Sequence, residues 1–306
     1  MKRRFFLLSL LTLIFAMLAC TLPWQPVGET PPPEEAEDIT PPEPDPTGTV
    51  EIIPTAAPTD VPPVEPTEEP FACGLEMVAA LAFSVEFCYP GQYASGFTQV
   101  RLPENPRTED FPFWGFHPEM IEITLAGYPV ENAYHDPVVR IYPVAELAAI
   151  DALYQDQLSE LQALLTNQVP APNRIPFVPV FNAAQVMQAQ VTYLQWRNGS
   201  GVRFITMYSQ AAAPISNDSA FYAFIGLTDD GSYLISATMP VTHPLFYPDV
   251  YTEPAEGWAA FENNYPTYVS AMEANLLTQP QDTFFPHLAP LDAMMESFLI
   301  PSDAIP

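Results

Sequence analysis

From residue 83 onward, short runs of the chain alternate apolar and polar side chains, the period of a half-buried β-strand. Phe83, Val85 and Phe87 alternate with Ser84, Glu86 and Cys88 before Pro90 ends the run. Ile121, Ile123 and Leu125 alternate with Glu122 and Thr124, and residues 138–142 read as a third short strand. The period then changes. Ile150, Tyr154, Leu158, Leu161 and Leu165 step by three or four, with Asp151, Asp156 and Glu160 largely off that stripe, which predicts a helix over about 145–166.

Four longer strands follow. Residues 186–197 and 202–209 flank Asn198-Gly199-Ser200-Gly201, and 220–227 and 232–240 flank Thr228-Asp229-Asp230-Gly231. Both linkers are rich in residues that tolerate positive φ, so both pairs read as hairpins, the first with Arg197 facing Val202. The second pair is apolar on both faces: Phe221, Ala223 and Ile225 on one, Tyr222 and Phe224 on the other. Such strands belong in a sheet covered on both sides. Covers are available. Trp258, Phe261, Tyr265, Val269, Met272 and Leu276 lie at helical spacing, kinked or split at Pro266. Leu288, Leu291, Met295 and Phe298 make a last helix with Pro290 in its first turn. The expected fold class is α+β: a mostly antiparallel sheet of about seven strands with helices on both faces, an α/β/α sandwich.

The opening Phe83-x-Val85-x-Phe87-Cys88-Tyr89-Pro90 strand, the two central hairpins and the terminal Met295-Glu296-Ser297-Phe298 together resemble the PsbP-like α/β/α sandwich. The resemblance covers most of 80–300 and implies a domain that binds proteins or small ligands, mostly without catalysis. No site residue carries over with it. The chain is also similar to uncharacterised bacterial surface lipoproteins.

The start of the chain has a different character. Lys2, Arg3 and Arg4 precede an uncharged apolar run from Phe5 to Leu18, the layout of a secretory signal. Met17-Leu18-Ala19-Cys20 resembles the bacterial lipobox, which implies cleavage after residue 19 and a lipid on Cys20. An uncleaved anchor over residues 5–24 is the alternative. Either way, the basic flank stays inside and residues 25–306 are expected to be extracytoplasmic. Residues 20–70 then hold 15 of the 38 prolines and 12 acidic residues, with no basic one. Such a Pro/Glu-rich segment cannot bury enough apolar surface to fold, so it is expected to be a disordered, extended linker. The organisation expected is signal peptide 1–19, linker 20–70 and one folded domain 71–306.

Charge narrows the partners. The whole chain carries −28, and beyond the signal its only basic residues other than histidine are six arginines. A surface this acidic repels phosphate backbones, so no nucleic acid partner is expected. Of three cysteines, acylation of Cys20 leaves Cys73 and Cys88 as the pair expected to form a disulfide outside the cytoplasm.

No motif for chemistry stands out. His117, His135, His243 and His287 are scattered without metal-ligand spacing, so neither metal nor cofactor is expected. Ser200 and Asp229-Asp230-Gly231 read as turn residues, and nothing marks any two of the many carboxylates as a hydrolytic pair. The loop 111–118, Phe-Pro-Phe-Trp-Gly-Phe-His-Pro, is dense in rings and lacks periodicity. It either folds over the core or forms a binding surface, which nominates Trp114 and His117. Trp196 and Arg203 lie across the first hairpin in the register above. They form either an ordinary cation–π contact or, if exposed together, a stacking platform for a sugar or peptide. The function expected is a membrane-anchored extracytoplasmic lipoprotein with a non-enzymatic binding domain for a partner protein or small ligand. A cell-surface hydrolase using unmarked carboxylates and a purely structural envelope module are the alternatives.

Overall fold

The computed structural model of the protein describes residues 73–109 and 112–305. The signal segment, Cys20 and the linker 20–70 lie outside the described residues. In chain order the strands are β1 (Met77–Ala82), β2 (Val85–Pro90), β3 (Gly96–Leu102), β4 (Met120–Ala126) and β5 (Val138–Pro143). After helices α1 (Val144–Ile150) and α2 (Ala152–Asn167) come β6 (Ala184–Gln185), β7 (Ala189–Trp196), β8 (Gly199–Thr206), β9 (Tyr208–Ser209), β10 (Phe221–Thr228) and β11 (Tyr233–Pro240). Helices α3 (Trp258–Asn263), α4 (Tyr265–Leu277) and α5 (Leu288–Glu296) follow. The class is α+β. Among the described residues no helix is long and apolar enough to cross a membrane.

Seven strands form one antiparallel sheet in the order β3-β4-β5-β11-β10-β8-β7. They are not quite the seven expected. The strand read from Phe83 is β2, which pairs with β1 in a separate hairpin, and β3 takes its place in the sheet. Phe83 itself is in the two-residue turn of that hairpin, at φ 55, because Ala82 already faces Val85. Its half-exposed ring is covered by the Arg101 guanidinium of β3, 4.9 Å from the ring centroid. The expected disulfide is present: Cys73 is bonded to Cys88, with Cα atoms 5.9 Å apart.

Helix boundaries follow local chemistry. The helix predicted over 145–166 breaks at Asp151, whose extended backbone (φ −161, ψ 151) lets its carboxylate cap α2 by accepting from Leu153 N at 2.9 Å. The helix predicted through Pro266 is two helices, with that proline in the first turn of α4, where its missing N–H leaves no bond unmade. Phe298 lies just past the end of α5 and is buried against Phe87, ring to ring at 5.0 Å.

Alternate residues of β10 enter different apolar clusters, as the two-faced pattern requires. Phe221, Ala223 and Ile225 pack with Tyr154, Leu158 and Leu161 of α2. Tyr222 and Phe224 belong to a cluster that holds Leu291, Met294 and Met295 of α5. Each such large side chain taken from water contributes about 1.5–3 kcal/mol before chain entropy is set against it.

The first hairpin closes two residues tighter than its glycines suggest. Trp196 faces Gly199 across a two-residue turn, Val202 faces Tyr193 and Arg203 faces Thr192. Trp196 and Arg203 are therefore not cross-strand neighbours. The Trp196 ring lies over Gly199 and Gly226, occupying the space a side chain at either position would need.

Candidate ligand-binding cleft

Residues 168–188, between α2 and β7, are held against the sheet by the side-chain amides of Gln157, which is buried, and Gln185, which is partly so. Gln157 Oε1 accepts from Phe177 N at 3.1 Å. Gln185 accepts from Ile175 N and donates to Ile175 O, both at 3.2 Å, and donates to the Tyr208 hydroxyl at 3.0 Å. The β6–β9 ladder fixes the far end of the segment. These bonds present Pro179, Val180 and Phe181 as one wall of a cleft of about 900 Å³.

Aromatic rings make much of that cleft. Phe181 packs against Tyr208 at 4.5 Å, and His135 packs against Phe221 at 4.4 Å and Phe181 at 5.3 Å. Around the opening stand Trp114, Tyr134 and Tyr251, which are 40 %, 81 % and 86 % exposed. Tyr134 is fixed through its backbone, whose N–H donates to Asp218 O at 2.6 Å. Large rings left in water at the mouth of a concavity are unlike the scattered surface apolar residues that any domain carries.

The polar lining is nearly neutral. Among the described residues it holds the amides of Asn132, Asn182 and Gln210 and the hydroxyls of Ser209 and Ser219, with Asp218 as its one carboxylate and no Lys or Arg. Asp218 Oδ1 already accepts from the hydroxyls of Ser216 at 2.6 Å and Ser219 at 2.9 Å. Burial, and then the Arg140 charge, push His135 down to about 4 against the opposing pull of Asp136, so its ring is uncharged at neutral pH. Burial likewise pushes the Tyr208 hydroxyl up, keeping it protonated.

A smaller cavity of about 190 Å³ adjoins this cleft, sharing Trp114 and Pro179, and includes His117. The His117 Nδ1 donates to Pro118 O at 2.9 Å. Also lining it are Glu122 and Arg140, which face each other across β4 and β5 and pair at 2.9 Å. On the other side a cavity of about 380 Å³ shares Val180, Phe181, Ala183 and Tyr208 with the cleft.

Of the four residues nominated by sequence, the fold brings Trp114 and His117 to one place. Trp196 and Arg203 go elsewhere, both into the interior. Arg203 is fully buried, its guanidinium on Asp292 of α5, and Trp196 packs edge-to-face on Phe224 at 5.6 Å. Neither offers an exposed stacking surface. Among the described residues no three His, Cys, Asp or Glu side chains sit together as a metal would need. No protein-family model matches this chain, and no curated protein does.

Sequence reasoning missed Tyr134, His135, Phe181, Tyr208 and Tyr251. For Tyr134, His135 and Tyr251 the usable signal was the one applied to 111–118: rings placed in proline-bearing loops, as in Tyr134-His135-Asp136-Pro137 and Pro248-Asp249-Val250-Tyr251.

Proposed function

We propose that this chain is an extracytoplasmic binding lipoprotein, held to the membrane by a lipid on Cys20. Residues 20–70 carry the domain outward, and the domain takes a ligand in the aromatic cleft without chemically changing it. One observation carries the reading: three exposed rings line a cleft of about 900 Å³ which, among the described residues, offers one carboxylate, itself already hydrogen-bonded. Two-carboxylate hydrolysis needs a second acid about 5–9 Å away, so the lining favours holding a ligand over cleaving it. The basic head and apolar run before Cys20, and the oxidised Cys73–Cys88 pair, support an address outside the cytoplasm. The acidic surface supports a partner other than nucleic acid. The two apolar clusters, one shared with α2 and the other with α5, support the α/β/α layering of the PsbP-like fold.

The test is made in intact cells, with the full chain carrying a photo-crosslinking residue in place of Tyr251 or, as control, of Leu75. The reading expects a light-dependent adduct from position 251 and none from Leu75. Equal labelling at both positions, or turnover of a captured molecule by the purified protein, would overturn it.

A further inference from the structure

The same cleft carries information about what it holds, and the following rests on the binding reading above. We infer that the ligand is an uncharged linear oligosaccharide several sugar units long, stacked on Trp114, Tyr134 and Tyr251.

Charge removes the first set of rivals. A polymer bearing carboxylate, sulfate or phosphate calls for arginine or lysine, and among the described residues the main cleft has neither. The arginines that border the adjoining cavities are committed, Arg140 to Glu122 at 2.9 Å and Arg174 to Glu160 at 3.2 Å. His135 adds no positive charge at neutral pH.

Ring geometry removes the second. A quaternary ammonium is held where aromatic faces close around it within about 6 Å. Among the described residues Trp114, Tyr134 and Tyr251 make no ring contact with one another; Trp114 packs only on Phe113, and Tyr134 only on His135. They are separate platforms around an opening far larger than one cationic head. The apolar C–H face of a sugar ring fits such a platform, while amides and hydroxyls that both give and take hydrogen bonds suit its hydroxyl rim.

Length follows from size. The cleft alone is about 900 Å³, and cavities of about 380 Å³ and 190 Å³ share wall residues with it, Phe181 and Tyr208 with the first and Trp114 and Pro179 with the second. A single sugar would leave most of the cleft empty; a chain of rings fills it. A proline-rich peptide also docks on aromatic grooves. The chain's own such segment, 20–70, carries 12 acidic residues, a poor match for a cleft whose lining holds an acidic residue, Asp218, and among the described residues no Lys or Arg.

Calorimetric titration of the full-length protein with N-acetylglucosamine, glucose and mannose hexasaccharides tests this. Parallel titrations use hexagalacturonate, decaproline and tetramethylammonium. The expected result is binding of at least one neutral hexasaccharide, at least tenfold tighter than its disaccharide, with none for hexagalacturonate. Trp114→Ala and Tyr251→Ala, both at exposed positions, each weaken it at least fivefold, whereas Leu75→Ala leaves it unchanged. No binding of any neutral hexasaccharide, or binding indifferent to Trp114→Ala and Tyr251→Ala, overturns the inference. Decaproline or tetramethylammonium binding that is lost in those variants, without sugar binding, overturns the sugar assignment and leaves the cleft standing. Silence from every probe together with no crosslink at position 251 removes both.

Discussion

Arg203 of β8 and Asp292 of α5 form a two-pronged ion pair inside the protein, Nε to Oδ1 at 3.0 Å and Nη2 to Oδ2 at 2.9 Å. The Tyr222 hydroxyl donates to the same Oδ1 at 2.9 Å, and the remaining guanidinium nitrogen, Nη1, donates to Gln190 O. Removing one partner strands a charge that is fully buried for Arg203 and largely buried for Asp292. Asp292→Ala or Arg203→Met is expected to cost about 3–5 kcal/mol in denaturant unfolding, and the double change Arg203→Met with Asp292→Leu to restore most of it. Equal losses in the single and double variants would mean that the pair does not act as a unit.

Gly226 tolerates no side chain. A Cβ there would stand 2.5 Å from Ser200 O and inside the Trp196 ring. Gly226→Ala is expected to destabilise by about 1–3 kcal/mol. Trp196→Leu in the same chain relieves the ring clash but not the one with the carbonyl, so recovery should be partial. Melting curves of the three variants check this.

Reducing or removing the Cys73–Cys88 bond frees a loop set by a separation of 15 residues. Cys73→Ser is expected to lower unfolding free energy by about 3 kcal/mol. Thiol titration of the denatured protein should show two more reactive groups after reductant than before.

His135 stays neutral in the folded protein down to about pH 4, whereas in an unfolded chain it takes a proton near its ordinary 6.5. Between those values the unfolded state binds more protons. The contribution is therefore complete above pH 6.5 and is lost as pH falls toward 4. With part of the ring meeting water, the loss is on the order of 2 kcal/mol. His135→Asn should flatten the stability profile between pH 4.5 and 7, and an unchanged slope would place the titration elsewhere.

How much of this was legible in the sequence differs by element. The second hairpin was plain, because apolar residues on both faces of 220–227 and 232–240 leave no other home and Asp230 accepts from Ser232 N at 2.9 Å to shape the turn. The first hairpin misled for a physical reason: Gly199 and Gly201 looked like turn residues but sit in β8, where Gly199 makes room for an indole and Gly201 for the Phe224 ring. That error moved the partner of Arg203 by four positions and put it beside Trp196. Nothing local announces Asp292, 89 residues away, as the counter-ion. Strand β3 escaped notice because it is an edge strand whose Thr98, Gln99 and Val100 all face water, so no alternation marks it. The cleft is harder still. Its exposed rings come from three separate loops, after β3, β4 and β11, and one of its walls from a fourth segment, 168–188.

The covalent link between Cys73 and Cys88 also decides how the domain bears a pull on the chain that enters it. Tension arriving at Cys73 crosses the sulfur bridge directly to β2 and bypasses β1. From β2 it spreads to the other end of the polypeptide, where Glu86 and Leu299 exchange backbone hydrogen bonds at 3.1 and 2.9 Å and Cys88 N donates to Ser297 Oγ at 2.8 Å. A pull at Cys73 is thus shared between the first and last described segments of the fold, and the β1–β2 hairpin cannot be unzipped from its open end.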